Sequence, residues 1–499
     1  MNKRLNSLCV ILVLVGVASA QKISPRVEKA SAQRSPVPVI VLCRTQLLET
    51  PDGFPHFCEA HDRDPRSALR HSTIEQLKAI AGNGEQQAVL NAIQRPVEAT
   101  SFWVVNAVAA FLTPAEIRKT ALLPDVKYIY FAQRPGPASR EKRKLSEIIT
   151  PTDRPAFSTE DRVIPWNLKK IGADRVWSDL KITGENTVVA LLDSGANYAH
   201  ADLRNNIWIN AGEIPNNDRD DDRNGFVDDY YGYDFTADSC EVRASGDKQH
   251  GTWTGGIIAG DGTGGILTGV APRTRFMLLR ASGIPAVMQA FQYALENGAD
   301  IINMSFSVPD LDQERGLWRL LAEQTVAAGT VLVSGCGNFQ QTQPIPVQIR
   351  IPEGIPCVIA AGGLDENLQV PRFCSLGPVE WQSVEFYRDY PLPTGLIKPD
   401  VCAFPGPRYP VLAAAERGYI DPNSRIKGNS FSSPHIAGVA ALMLSAAPEL
   451  PAWKVKTLLE KTAQDLEKKG KDTRTGAGLV RADDAVLAAQ KEVGERPKK

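Results

Sequence analysis

The sequence predicts an α/β protein: a mainly parallel sheet flanked by helices, preceded by a small α+β domain. Three observations carry this. From about residue 186 onward, short apolar runs rich in β-branched residues alternate with segments of helical periodicity, the pattern of a parallel sheet covered on both faces. Residues 36–133 instead mix strands and helices of shorter reach. Between the two, the composition turns to Pro, Ser, Arg, Lys and Thr, which bury little.

Residues 1–20 carry Lys3 and Arg4, an apolar run from Leu8 to Val17, then Ala18-Ser19-Ala20. That is the layout of a secretory signal peptide, which predicts export and removal. The competing reading is an uncleaved anchor, but the run is well short of the ~20 residues that a helical span needs. No other stretch is apolar enough to cross a bilayer.

Residues 21–134 form the first domain. Strands are expected at 39–42, 101–111 and 126–131, one or two helices over 73–93, and a helix over 113–122 opened by Thr113-Pro114-Ala115-Glu116. His56, His61 and His71 are scattered among polar residues and read as solvated side chains. Residues 135–164, with Arg140-Glu141-Lys142-Arg143-Lys144, read as an exposed linker carrying a processing site. The main domain then runs over 165–490, and 491–499 is a polar tail. Its strands are expected at 186–192, 274–280, 300–304, 330–335 and 357–361, and its helices at 250–260, 286–298, 314–328, 434–447 and 453–463.

With 499 residues, 43% hydrophobic, 23% charged and a net charge of −1, the chain is of ordinary globular composition and offers no bulk electrostatic case for nucleic acid. Discounting Cys9 of the signal leaves seven cysteines, an odd number without the spacing of a disulfide framework or a zinc site.

The chemistry centres on Gly428-Asn429-Ser430-Phe431-Ser432-Ser433-Pro434-His435-Ile436-Ala437-Gly438. Small residues and a proline open an apolar helix, so Ser430 sits where backbone N–H groups lack intrahelical partners. Such a serine is either a helix cap or a nucleophile whose oxyanion those N–H groups hold. Partners decide between the two. Asp193 ends the strand Val188-Val189-Ala190-Leu191-Leu192, and His250 opens a small-residue helix. Both belong at the carboxyl ends of strands or the starts of helices, where an open α/β sheet forms its crevice. His200, in a polar loop, and His435, inside the Ser430 helix, read as structural.

Leu192-Asp193-Ser194-Gly195 with His200-Ala201-Asp202-Leu203, then His250-Gly251-Thr252, then Gly428 to His435 resemble the three signature blocks of the subtilisin-like serine proteases. Val333-Ser334-Gly335-Cys336-Gly337-Asn338 is similar to the block whose asparagine completes the oxyanion hole. Pro165-Trp166-Asn167-Leu168, Lys398-Pro399-Asp400-Val401 and Gly478-Leu479-Val480 also resemble family landmarks, so the likeness runs from about Pro165 to Ala489.

The resemblance implies a secreted serine endopeptidase acting on protein or peptide substrates as a monomer, with no stable membrane span. Ser430 would be the nucleophile, His250 the general base, Asp193 its orienting carboxylate and Asn338 the oxyanion donor. Ala281, Ser282 and Gly283, with Ser305, Phe306 and Ser307, would bind substrate. The region 39–131 would be an inhibitory propeptide, acting on its own chain. Two rivals remain: a catalytically silent scaffold that keeps its propeptide, and a hydrolase of esters or other acyl groups. The sequence departs from the family at Ser307, where glycine is usual and the primary pocket would narrow, at Cys336, and at Trp253 in the histidine block.

Catalysis requires no cofactor on this reading. An acidic insertion at 216–229 places Asp220, Asp222, Asn224, Gly225, Phe226 and Asp228 at positions 1, 3, 5, 6, 7 and 9 of an EF-hand-like loop, while position 12 is Tyr231 in place of the glutamate. A structural calcium held by Asp220, Asp222, Asn224, the Phe226 carbonyl and Asp228 and a solvated acidic loop both fit.

Overall fold

A computed structural model describes residues 22–48, 51–95, 98–133, 144–149, 157–244, 249–309, 311–406, 408–421, 423–424 and 426–495. The expected signal and part of the expected processing segment lie outside these residues.

The N-terminal domain opens with α1 (Pro25–Gln33), capped by Ser24, and contains β1 (Val37–Cys43), α2 (Gly53–Ala60), α3 (Arg66–Ala81), α4 (Glu85–Ala92), β2 (Thr100–Phe102), β3 (Ala107–Leu112), α5 (Pro114–Ala121) and β4 (Val126–Phe131). Its antiparallel sheet has the order β2-β3-β1-β4. β1 is buried along its whole length, and its two faces meet different cores. Val37, Val39, Val41 and Cys43 face the domain's own helices, whereas Ile40 and Leu42 join the core of the main domain. Period-two alternation therefore explains an all-apolar central strand: both faces are covered. Thr113 and Glu116 form the expected capping box, with Thr113 N donating to Glu116 at 2.8 Å and Glu116 N to Thr113 Oγ1 at 3.3 Å.

Three expectations for this part need correction. The strand expected at 101–111 is two strands, because a turn at Trp103 to Asn106 lets Trp103 N and Val104 N donate to Gln292 Oε1 of the main domain at 2.6 and 3.2 Å. α2 and the first two turns of α3 lie where no element was expected. Finally, 144–149 is not wholly exposed: Leu145 and Ile149 are buried, and their N–H groups donate to Asn216 Oδ1 and the Tyr231 hydroxyl. Apolar residues spaced through a polar run gave this segment something to bury.

The main domain starts with α6 (Trp166–Lys170) and α7 (Ala173–Ser178). Its sheet is formed by β5 (Val188–Leu192), β6 (Gly232–Asp234), β7 (Arg275–Arg280), β8 (Ile301–Met304), β9 (Val331–Gly335), β10 (Ile359–Gly363) and β11 (Val401–Ala403) in the order β11-β10-β9-β8-β5-β7-β6. Every pairing in it is parallel. β12 (Val411–Leu412) and β13 (Tyr419–Ile420) make a small ribbon. The helices are α8 (His250–Ala259), α9 (Ile284–Glu296), α10 (Glu314–Ala327), α11 (Ser432–Ala446), α12 (Ala452–Thr462) and α13 (Ala482–Gly494). α13 takes in residues 491–494, which shortens the expected polar tail. Among the described residues no helix is long and apolar enough to cross a membrane.

β7 and β6 extend the sheet on one side of β5, and β8 to β11 extend it on the other. The strand order thus reverses beside β5, and the carboxyl end of β5 opens on a crevice. α11 runs beneath the sheet, apolar all round and buried from Ser432 to Leu444. A Cβ on its Gly438 would lie 2.5 Å from Val270 Cβ. Gly438→Ala is therefore expected to lower stability by about 1–3 kcal/mol through overpacking, read as a fall in the thermal midpoint.

Candidate active site

Asp193 directly follows β5. Its carboxylate accepts from Ser194 N at 2.6 Å and from Thr254 Oγ1 of α8 at 3.1 Å. His250, the first residue of α8, holds Nδ1 2.9 Å from each Asp193 oxygen. Glycine lets the helix come this close, since a Cβ at Gly251 would run into the Gly195 carbonyl. The side chain of Asp193 is 6% exposed and that of His250 33%, so the imidazole alone reaches solvent. Burial pulls the His250 pKa down, but the charge and hydrogen bond of Asp193 outweigh it, and the net direction is up.

Ser430 lies two residues before α11, on a turn in which Phe431 N donates to Gly428 O and Ser432 N to Asn429 O. Its hydroxyl donates to Ser305 O at 3.3 Å. The ring of Phe431, the next residue, is 6.2 Å from that of His250. Phe431 also stacks on Trp253 at 6.0 Å, so the unusual tryptophan braces the Ser430 turn against α8. Asn338 Oδ1 accepts from Asn429 N at 2.8 Å, which fixes the amide and leaves Nδ2 without a partner among the described residues. Gly335 is close-packed, because a Cβ there would meet the Asn429 carbonyl and approach Ser430 N to 3.2 Å. Cys336 is fully buried and accepts from Asn429 Nδ2 at 3.2 Å, with burial pushing its thiol pKa well up. It acts as core and is not a reactive thiol.

All six residues expected to bind substrate line one cleft of about 610 Å³ together with Asp193 and His250. Ile284, Val287 and Trp318 widen it with apolar surface the sequence did not announce. Phe131 and Gln133, at the end of the N-terminal domain, line the same cleft. Ser307 turns its hydroxyl onto Glu353 Oε1 at 2.6 Å, an oxygen that also accepts from Arg350 N at 3.1 Å. Glu353 is fully buried, its Oε2 has no partner among the described residues, and burial pushes its pKa up to about 7 against those two hydrogen bonds. An acid inside an apolar stretch, Ile351-Pro352-Glu353-Gly354-Ile355, was the only signal in the sequence.

The acidic insertion brings one carboxylate oxygen each from Glu213, Asp220 and Asp222 within 4.8 Å of one another. This is a hard oxygen set of the kind calcium takes. Glu213 was not anticipated, being upstream of the EF-hand-like spacing. Asp228 is turned elsewhere: its carboxylate accepts from Asn217 N and Asp218 N at 2.9 and 3.0 Å. Asn224 spends its Oδ1 on Phe226 N at 2.8 Å.

The family pattern of the subtilases, Peptidase S8, matches residues 184–478. The chain belongs to the subtilase family. Among similar proteins, subtilisin DY of Bacillus licheniformis is 27% identical over 334 residues, covering 65% of this chain and 99% of that protein. Subtilisin-like protease 1 of Plasmodium berghei is 24% identical over 321 residues, 62% of this subtilase and 51% of the relative, so the chain spans about half of that protein's length. Bacillopeptidase F of Bacillus subtilis is 26% identical over 460 residues, covering 85% of this chain but 29% of its own.

Two predictions follow from these groups. Asp193→Asn should lower kcat by about 10⁴ and move the acid limb of the pH–rate profile to lower pH, because the charge holding the His250 pKa up is gone. Glu353 keeps its proton more tightly folded than unfolded, so its contribution to stability is complete below the ordinary glutamate range and is lost as pH rises through about 7. Glu353→Gln is expected to stabilise the protein by about 1–3 kcal/mol at pH 8 and to change little at pH 4. Calorimetry across that range checks it, and an equal effect at both ends would contradict a buried neutral carboxyl.

Proposed function

We propose that this subtilase is a secreted serine endopeptidase that cleaves peptide bonds through an acyl-enzyme. The observation that carries the reading is the Asp193–His250 pair held in one cleft with the substrate-binding residues, with Ser430 on a helix-start turn beside it. A χ1 rotation turns Ser430 Oγ from Ser305 O toward the carbonyl carbon of a bound peptide. His250 Nε2 takes the hydroxyl proton as the bond forms and returns it to the leaving amine. Asp193 keeps the other nitrogen protonated and stabilises the imidazolium. Asn338 Nδ2 and the Ser430 N–H receive the oxyanion, and both are free donors among the described residues. Water then repeats the cycle on the acyl-enzyme.

Residues 21–134 act on this reading as an inhibitor of their own chain. What supports it is that Phe131 and Gln133 already border the cleft that holds Asp193 and His250. Glu213, Asp220 and Asp222 would hold a structural calcium that takes no part in the chemistry.

Labelling with a fluorophosphonate probe tests the activity. The label should map to Ser430; Ser430→Ala should lose about 10⁵–10⁶ in kcat on casein, and Asn338→Ala about 10²–10³. A processed sample that takes no label at Ser430 would overturn the enzyme. For the ion, chelation should lower the thermal midpoint and added calcium restore it; an unchanged midpoint would remove it.

A further inference from the structure

Glu353 takes no part in the hydrolysis, yet the protein keeps an acid where burial disfavours its charge. An acid so placed lowers stability and, beside a cleft, marks a candidate for function. Its turn holds it fast. Gly354 N donates to Arg350 O at 2.6 Å, Ile355 N to Pro352 O at 3.0 Å, and Trp381 Nε1 to Gly354 O at 3.0 Å. A Cβ at Gly354 would lie 2.5 Å from Arg350 O, so the turn has no slack. Val308 N donates to Ile351 O at 2.7 Å, and this antiparallel bridge ties the turn to the segment that carries Ser307. The carboxyl is thereby fixed behind Ser307.

Ser307 has one proton to give, and gives it to Glu353 Oε1 at 2.6 Å. Arg350 N donates to the same oxygen at 3.1 Å. Oε1 thus accepts twice in either protonation state, which puts the acid's own proton, when it has one, on Oε2. The Ser307 oxygen keeps only lone pairs. Ser307 is half-buried and lines the cleft together with Phe306, Val308 and Leu311, where the subtilase resemblance puts the primary pocket. The wall therefore combines apolar surface with an acceptor that has a carboxyl directly behind it. An alkyl chain ending in a cationic N–H donor fits that combination. Lysine fits best: its stem lies on apolar surface and its ammonium is a point charge that one acceptor can hold, whereas the planar fork of arginine calls for two. An ammonium on Ser307 would stand no more than about 6 Å from the carboxylate, two hydrogen-bond lengths away.

The charge behind the wall varies near neutral pH. Burial raises the Glu353 pKa to about 7, while the hydrogen bonds from Ser307 and Arg350 and the Arg350 charge pull the other way. Of the other groups that face it, Arg350 is a permanent cation stacked over Phe339 at 3.8 Å, and the Cys336 thiol, pushed well up by burial, stays neutral. We infer that Glu353, acting through the Ser307 hydroxyl, makes this protease select a lysine side chain at the substrate residue whose carbonyl is attacked, and that the selection strengthens as Glu353 ionises. The inference rests on the endopeptidase reading for the cleavage, while the ammonium site itself does not depend on catalysis. Glu353 is a positioning residue here and leaves the bond-breaking to Ser430 and His250.

The test compares peptide substrates that differ only in lysine or methionine at that residue, cleaved by the processed enzyme from about pH 5.5 to 8.5. The ratio of their kcat/KM values cancels the titration of His250, which both share. It should rise about 10-fold over that range. In Glu353→Gln the rise should vanish. In Ser307→Ala, Glu353 loses a hydrogen bond that favours its charged form, so the midpoint of the rise should move to higher pH. A purely steric wall would change the ratio and have no midpoint to move. A ratio that is flat with pH in the unaltered enzyme, or a rise that survives in Glu353→Gln, would overturn the inference. Should neither peptide be cleaved and Ser430 take no fluorophosphonate, the protease reading fails and the ammonium site is read without catalysis, because the cleft stays open at about 610 Å³ with the N-terminal domain in place. The full chain carrying Ser430→Ala should bind n-butylammonium, followed by saturation-transfer NMR, about 10-fold more tightly at pH 8.5 than at pH 5.5. n-Butanol should show no such difference, and adding Glu353→Gln should abolish it. Binding that is absent or independent of Glu353 would overturn the inference.

Discussion

Helix α11 has no polar face, and the rest of the catalytic side follows from where such a helix has to go. An α-helix apolar all round is stable only when surrounded, so it lies under the sheet, close enough that Gly438 leaves no room for a methyl beside Val270. Burial fixes the helix axis, and the axis fixes the turn before it. Asn429 is then locked from several sides: its N–H goes to Asn338, its amide nitrogen to Gly337 O and Cys336, and its amide oxygen receives Cys374. Ser430 follows a fully buried, fully bonded residue and inherits its position.

The same sheet carries the other half of the site. Parallel strands put all their carboxyl ends on one edge, so β5 delivers Asp193 and β9 leads into Asn338 on the same side. α8 brings His250 back to that edge through a stretch where Gly251 permits contact with the Asp193 loop. The amino ends of the strands form a second edge whose unsatisfied groups need partners too. Asp300 supplies one for Val188, and Arg66 neutralises Asp300 from another domain. The two opposite edges of one sheet thereby carry different groups, Asp193 and Asn338 at one and the Asp300–Arg66 pair with the N-terminal domain at the other.

Much of this was legible in the sequence, for reasons that differ by feature. β5, β7, β8, β9 and β10 announced themselves as apolar runs, because burial on both faces leaves few polar interruptions, and β4 was read to the residue, whereas β6, three residues long with Asp234 at its end, was not expected. Asp193, His250, Ser430 and Asn338 were readable because each lies at the end of such an element, within a short block of small residues. Glu353 and Glu213 were not, since their partners are Ser307, far upstream, and a loop that folds back on itself. α2 and the first two turns of α3 were missed for another reason. α2 has no fully buried residue and α3 buries only Leu69, Thr73 and Leu77, while Arg66, Ser67, Arg70 and Lys78 meet the main domain through side chains that read as solvent-facing. Contacts so largely polar leave only a weak apolar period to find.

Neighbours, and not residue type, set the candidate groups apart. His250 is a third exposed and His435 fully buried; burial takes His435 down to about 4, and among the described residues its ring nitrogens meet only the Phe431 carbonyl and the Asn167 amide. With Nδ1 donating to Phe431 O at 2.7 Å and Nε2 accepting from Asn167 at 2.8 Å, its ring is held neutral in one tautomer and has no proton to exchange. His250 has a carboxylate on one side and the cleft on the other, so it can gain charge and lose it again. The serines divide the same way. Ser433 shares its hydroxyl with Ser305 at 2.8 Å, Ser432 reaches back to Asn429 at 3.4 Å, and both are fully buried. Ser430 is only half-buried and holds its hydroxyl by one long bond to Ser305 O. Of the three hydroxyls it is the one that does not lie in the buried core.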